Sequence, residues 1–176
     1  MSYKDFLDDL VNEEEEDTME GMYLIFAIED REYGIEIKYL IEIVALHNIT
    51  EIPDVPNFVK GVINLRGKVI PVIDIRLRFK FPSKDYHDRT CVVIVNIGSL
   101  VVGLIVDSVR EVIKIPKESI EPAPRIGDSI SSRFIQATGK IGDGVKILLN
   151  LEKLLYDKEA QELSNFNQIL SGESNQ

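Results

Sequence analysis

Short runs of apolar, largely β-branched residues alternate with polar turns along most of this chain. Such runs predict strands over residues 23–28, 33–37, 42–46, 62–65, 69–73, 91–95, 101–106, 112–115, 134–140 and 145–149. Lys38 to Ile41 is ambiguous and fits a single helical turn, whereas residues 157–170 carry apolar side chains at helical spacing and predict a C-terminal helix. Strands and helices do not alternate, so the pattern favours a mainly β fold over a doubly wound sheet.

The chain also repeats itself. Residues 34–44 recur as residues 103–113 at an offset of 69, and residues 58–75 recur as residues 134–151 at an offset of 76. One supersecondary unit is therefore used twice, with repeat units of about 23–79 and 91–155. About five short strands in each copy predict two small β-barrels. A groove between them would be a natural binding site.

Charge divides the chain into three parts. Residues 1–20 contain nine acidic residues and one lysine, whereas residues 21–157 contain 18 acidic and 18 basic residues. We therefore predict an acidic, flexible tail over 1–20, a folded body over 21–157 and a C-terminal helix and tail over 158–176. The single cysteine, the lack of a signal peptide and the lack of a long apolar stretch predict a cytoplasmic protein that does not insert into a membrane.

Catalytic and metal-binding groups are sparse. His47 and His87 have no Ser, Cys or second His at ligand spacing, and Cys91 opens an apolar strand where a buried side chain is expected. The glycine-rich stretch 139–146 lacks the Lys-Ser/Thr of a phosphate-binding loop and is better explained as a hairpin turn. We predict that the chain is not an enzyme and uses no cofactor.

Nucleic-acid binding is the other function that small barrels often serve. The basic cluster at Arg76, Arg78 and Lys80 is flanked by Asp74 and Asp85, and the body as a whole carries no net charge. Phosphate affinity needs an excess of Lys and Arg, so no nucleic-acid partner is predicted. A small β-barrel that binds a ligand or nucleic acid remains the alternative to an interaction module.

The segment Asn64-Leu-Arg-Gly-Lys-Val-Ile-Pro-Val-Ile-Asp-Ile75 resembles the signature of the CheW family, the coupling proteins of bacterial chemotaxis. Further matching segments follow in the family's order, at residues 33–37, 58–61, 102–107 and 150–154. The resemblance covers roughly residues 21–156 and identifies this region as a CheW-like domain. Residues 158–176 leave no room for the receiver domain of CheV or the added domains of CheA, so the stand-alone coupling protein is the nearer match.

The resemblance implies a fold, a function and partners. The family fold is two interleaved, pseudo-symmetric, five-stranded SH3-like β-barrels with a groove between them, short helices and a C-terminal helix. Members are non-enzymatic adaptors that couple the cytoplasmic tips of methyl-accepting chemotaxis receptors to the regulatory domain of the histidine kinase CheA. They work in the cytoplasm, at membrane-associated receptor arrays.

By position in the family motif, the resemblance also implies two sets of contact residues. The receptor-binding set lies in the first repeat and comprises Ile37, Leu40, Glu42, Val44, Lys60, Gly61, Arg66 and Gly67. The kinase-binding set lies in the second repeat and comprises Ile141, Gly142, Asp143 and Gly144. Two alternatives stay open: Arg66 is suited to an intramolecular ion pair with Asp74 or Glu42, and Leu40 and Val44 would be core residues if the pleat shifts by one position.

Overall fold

The computed structural model describes residues 19–123 and 133–155. Its elements in chain order are β1 (Met22–Ile28), β2 (Arg31–Glu36), a 3₁₀ turn (Ile37–Tyr39), β3 (Leu40–Ala45), β4 (Val59–Leu65), β5 (Lys68–Asp74), α1 (Ile75–Arg78), β6 (Cys91–Ile97), β7 (Leu100–Val106), β8 (Ser108–Lys114), a 3₁₀ turn (Lys117–Ser119), β9 (Ile120–Pro122), β10 (Ile135–Ile141), β11 (Gly144–Leu149) and α2 (Leu151–Leu155). We call the elements from β1 to α1 the first half and those from β6 to α2 the second half.

The strands form two sheets, and each sheet takes strands from both halves. The six-stranded sheet has the order β8-β1-β2-β11-β10-β9, and the five-stranded sheet has the order β3-β6-β7-β5-β4. The β1–β2 hairpin of the first half thus lies in the sheet built mainly by the second half. The β6–β7 hairpin of the second half makes the reciprocal exchange, so neither half completes a sheet from its own strands.

The two exchanged hairpins are held by equivalent parallel pairings. In the six-stranded sheet Leu148 lies opposite Gly34, and in the five-stranded sheet Val72 lies opposite Gly103. These positions are related by the offsets of 69 and 76 that the sequence repeat shows. The facing side chains leave little space at both glycines: an added Cβ would lie 2.8 Å from Leu148 Cδ2 at Gly34 and 2.5 Å from Val92 Cγ1 at Gly103.

The open edge of β4 is partly closed by the chain that follows β3. Thr50 and Val62 exchange two backbone hydrogen bonds of 2.9 Å, which join this segment to β4. Because β3 and β4 are the outer strands of the five-stranded sheet, this bridge brings its two sides together as in a small barrel. The equivalent segment in the second half forms β9, a three-residue strand that the sequence did not predict.

Apolar side chains fill both the sheets and the space between them. The main core combines residues of both sheets, among them Leu24 and Phe26 from β1 with Val93 and Val95 from β6. Val92 and Ile94 point to the other face of β6, into a second cluster. Strands covered on both faces read as continuous apolar runs, which explains why β1 and β6 show little alternation.

The structure confirms the mainly β class with short helices and two sheets. The ambiguous stretch after β2 is resolved as the 3₁₀ turn Ile37–Tyr39, close to the helical turn that its sequence allowed. The predicted C-terminal helix over 157–170 and residues 1–18 of the acidic tail lie outside the described residues.

Candidate functional site

The turn between β4 and β5 presents Arg66 at its tip. Arg66 has a φ of 52° and Gly67 a φ of 85°, the two left-handed residues that a type I′ hairpin turn requires. The Asn64 side-chain oxygen accepts a hydrogen bond of 2.9 Å from the Gly67 backbone N–H. The asparagine and the glycine of the Asn-Leu-Arg-Gly segment therefore shape the turn that carries the arginine.

Arg66 forms a two-pronged ion pair with Glu42 on β3. The distances are 2.5 Å from Nη1 to Oε1 and 2.7 Å from Nη2 to Oε2. This hydrogen-bonded carboxylate raises the pKa of Arg66 above its usual value, so the side chain stays charged. Of the two partners that the sequence allowed for Arg66, Asp74 and Glu42, the structure selects Glu42.

The two members of this pair differ strongly in exposure. The Glu42 side chain is 8 % exposed, whereas that of Arg66 is 64 % exposed. A bidentate contact fixes the plane of a guanidinium group and leaves its remaining N–H donors pointing outward. The pair therefore orients a charged, accessible donor group at one end of the five-stranded sheet.

The other members of the predicted receptor-binding set fall into two groups. Leu40 and Val44 on β3 and Lys60 on β4 are half-buried, and Gly67 is exposed. Ile37, in contrast, lies in the main core at 3 % exposure. Gly61 is also buried, with a φ of 144° and with Thr50 O only 2.0 Å from the place of a Cβ. These two residues shape the surface from below rather than forming part of it.

The turn between β10 and β11 carries the predicted kinase-binding set. Gly142 and Asp143 are exposed, Ile141 and Gly144 are half-buried, and Gly142 has a φ of 58°. Next to this turn Val145 is 55 % exposed, one of four large hydrophobic residues exposed in the described part of the chain. Val69, its equivalent at the offset of 76, is exposed in the same way beside the first turn.

Arg76 and Arg78, two members of the basic cluster seen in the sequence, are buried. Arg78 is fully buried, and its guanidinium carbon lies 4.7 Å from the ring centre of Phe58 and 4.3 Å from that of Phe134. Its Nε donates to the Leu154 carbonyl at 3.2 Å. Phe58 and Phe134 are equivalent in the repeat, so Arg78 lies where the two halves meet. The repeated phenylalanine was the signal in the sequence for this contact.

Arg76 is buried as well, although it lies beside the surface. It forms ion pairs with Glu29 in the turn after β1 and with Asp107 after β7. The Glu29 backbone N–H also donates to Asp107 Oδ2 at 2.9 Å. The two arginines of the basic cluster are thus taken up inside the protein and are not available to phosphates, whereas Lys80 is exposed.

Cys91 and His87, two candidate reactive residues in the sequence, are engaged in contacts of the folded chain. Burial raises the pKa of the Cys91 thiol to about 11, which disfavours the reactive thiolate. The His87 Nδ1 accepts a hydrogen bond of 3.0 Å from the Arg89 backbone N–H within a turn. Among residues 19–123 and 133–155, no group of three His, Cys, Asp or Glu side chains is placed to hold a metal ion.

Comparison with known proteins decides what kind of domain carries these two turns. The family model of the CheW-like domain matches residues 22–159.

The chain belongs to the CheW family.

Relatives in the CheW family match over most of their length. The chemotaxis protein CheW of Klebsiella aerogenes is 36 % identical over 149 residues, which cover 85 % of this chain and 90 % of the relative. CheW of Helicobacter pylori is 34 % identical over 80 % of this chain and 86 % of its own length. The crystal structure of the scaffolding protein TtCheW from Thermoanaerobacter tengcongensis has a TM-score of 0.73 at 37 % identity, covering 79 % of this chain and 94 % of TtCheW.

Membership of the CheW family confirms two predictions from the sequence. The chain is an adaptor of the chemotaxis system, and it is not an enzyme, since the family consists of non-catalytic scaffold proteins. No helix in the described parts of the chain has the length and apolar character needed to span a bilayer.

Proposed function

We propose that this chain couples methyl-accepting chemotaxis receptors to the regulatory domain of the histidine kinase CheA. It does so in the cytoplasm, at membrane-associated receptor arrays. The observation that carries the proposal is the exposed Arg66, held by Glu42 at the tip of a rigid hairpin in a protein of the CheW family. A charged donor group of fixed orientation suits the recognition of carbonyl or carboxylate groups on a partner.

The receptor contact uses the surface around Arg66. Leu40 and Val44 add half-buried apolar side chains on β3, the strand that carries Glu42, and Lys60 adds a positive group on β4. The receptor tip is helical in this family, and an apolar helix face packs on such a surface while polar groups fix its register. Ile37 and Gly61 act indirectly, by supporting β3 and β4 from the core.

The kinase contact uses the β10–β11 turn of the second repeat, the equivalent of the β4–β5 turn. Ile141, Gly142, Asp143 and Gly144 form the turn, and Val145 adds an exposed apolar side chain at its base. Exposed valines are suited to the apolar centre of a small interface. Each contact is weak by itself, and many copies in an array supply the strength through multivalency.

Receptor binding is tested with Arg66→Ala, in a co-sedimentation assay with a receptor cytoplasmic fragment. We expect a loss of affinity of about 5- to 150-fold, because a charge-assisted contact with the partner disappears. Lys68→Ala is the matched control, since Lys68 is an exposed basic residue of the same hairpin. Equal binding by the two variants would remove Arg66 from the receptor contact.

Kinase binding is tested with Val145→Glu against the isolated regulatory domain of CheA. A buried glutamate at the centre of the contact is expected to weaken binding by about tenfold or more, because the charge loses its hydration. Val69→Glu makes the same change at the equivalent position of the first turn. If both variants bind the kinase domain as tightly as the unchanged chain, the assignment of the second turn is wrong.

A further inference from the structure

The exchange of hairpins makes each half of this chain the main binding partner of the other. Four ladders join the halves: β1 with β8, β2 with β11, β3 with β6, and β5 with β7. In contrast, β1–β2 and β3–β5, both in the first half, lie in different sheets. A half without its counterpart would leave four strand edges open, and open apolar edges recruit other strands.

The main core and the buried Arg78 also join the two halves. The main core contains residues of β1 and β2 together with residues of β6 and β7. Arg78 belongs to the first half, and its guanidinium group contacts Phe134 and the Leu154 carbonyl of the second half. The main core and the surroundings of Arg78 are therefore shared between the two halves.

One short segment connects the two halves. It runs from α1 to β6, and its residues 82–89 are all exposed. Tyr86 fastens it to the first half through a 2.8 Å hydrogen bond to Asp74. Apart from such local contacts, the linker serves to keep the two halves at a high effective concentration.

We infer that two copies of this chain exchange halves when they fold at high concentration, giving a dimer in which each unit combines the first half of one chain with the second half of the other. All four ladders and the shared core form in this dimer as they do in the monomer. Only the linker changes its path, so the linker and the chain concentration set the balance between monomer and dimer. This inference does not depend on the proposed coupling function.

Exchange takes place during folding rather than in the folded state. Separating the halves breaks all four ladders and opens the main core, which amounts to unfolding most of the protein. Monomer and dimer are therefore expected to persist separately once formed and to be separable by size-exclusion chromatography.

The native Cys91 provides a direct test in the full chain. Ala45 of β3 lies opposite Cys91 of β6, across the ladder between the halves. Opposite residues in an antiparallel pair have the Cα separation that a disulfide needs. Ala45→Cys is refolded reduced at about 1 mM and about 10 µM chain, separated by size, then oxidised and run on a non-reducing gel.

Val106→Cys is the matched control. Val106 lies opposite Cys91 in the β6–β7 ladder, so this disulfide forms within the second half whichever chain supplies the first half. We expect a discrete dimer after refolding at the higher concentration. Ala45→Cys then gives covalent dimers from the dimer fraction and intrachain disulfides from the monomer fraction, whereas Val106→Cys gives intrachain disulfides from both.

Two results would overturn the inference. The first is the absence of a discrete dimer at 1 mM, including the case in which only larger aggregates appear. The second is a dimer whose Ala45→Cys disulfide stays within one chain, because that dimer is a surface association of complete monomers.

Discussion

Substitution of the two equivalent glycines should destabilise the protein to different degrees. A Cβ on Gly103 would lie 2.5 Å from Val92 Cγ1 and 2.8 Å from Val72 Cγ1. Carbon atoms at rest keep about 3.5–4.0 Å apart, so both valines would have to move by about 1 Å. Valine has a stiff χ1 angle and is attached to a strand of the ladder, so the movement has to involve the backbone.

The magnitude follows from two opposing effects. Overpacking of this kind costs about 1–3 kcal/mol, while Gly→Ala recovers about 0.4–1 kcal/mol by restricting the unfolded chain. We expect Gly103→Ala to lower the free energy of unfolding by about 1–2 kcal/mol. At Gly34 the nearest atoms are Leu148 Cδ2 at 2.8 Å and Ile25 Cδ1 at 3.0 Å, which end flexible side chains. Gly34→Ala should therefore cost less than about 1 kcal/mol.

Urea unfolding followed by circular dichroism measures both values as shifts of the midpoint at constant slope. Val92→Ala supplies a further control, because it removes the methyl group that the new Cβ meets. Gly103→Ala should cost less in the Val92→Ala background than in the unchanged chain, as expected for two residues in contact. A clash between the new Cβ and Val92 would be refuted if Gly34→Ala is as destabilising as Gly103→Ala, or if the effects of the changes at 103 and 92 are additive.

Three further predictions concern other parts of the chain. Arg78→Ala should lower the free energy of unfolding by about 3–5 kcal/mol, since it leaves a cavity between Phe58 and Phe134. Arg78→Met should lower it by less, and equal melting temperatures for the two variants would argue against packing as the cause. Alkylation of Cys91 at pH 9 should be about 50-fold slower in the folded than in the unfolded protein, because a thiol with a pKa of about 11 holds about 1 % thiolate there; comparable rates would mean that the thiol is accessible. Deletion of residues 1–18 should change the free energy of unfolding by less than about 0.5 kcal/mol, because an acidic tail buries little apolar area, and a large fall in melting temperature would show that the tail packs on the body.

Local patterns in the sequence indicated every strand of the described residues except the short β9, but they did not indicate which strands pair. The β-branched runs indicate β1 and β6, and Arg66-Gly67 indicates a tight hairpin. Whether the β1–β2 hairpin stays with its own repeat or joins the other is a matter of long-range pairing, which no local pattern records. The repeat indicated two units and the family resemblance implied that they interleave, whereas the structure shows which hairpins they exchange.

At the candidate site too, the sequence indicated the residues but not all of their contacts. The Glu42–Arg66 pair was one of two pairings left open by the sequence, because residues 24 positions apart in an all-β chain can meet in several registers. The burial of Arg76 and Arg78 was not predicted, since a run of basic residues is usually exposed. Their burial depends on acidic and aromatic partners that come from distant strands.

We propose that this chain holds receptor and kinase together through two separate turns. The most direct measurement is co-sedimentation of CheA with a receptor cytoplasmic fragment, with and without this chain and its variants. We expect CheA to sediment only when the chain is present. Arg66→Ala should remove both the chain and CheA from the pellet, whereas Val145→Glu should leave the chain in the pellet and remove CheA. Sedimentation of CheA at the same level without the chain would show that the chain does not couple the kinase to the receptor.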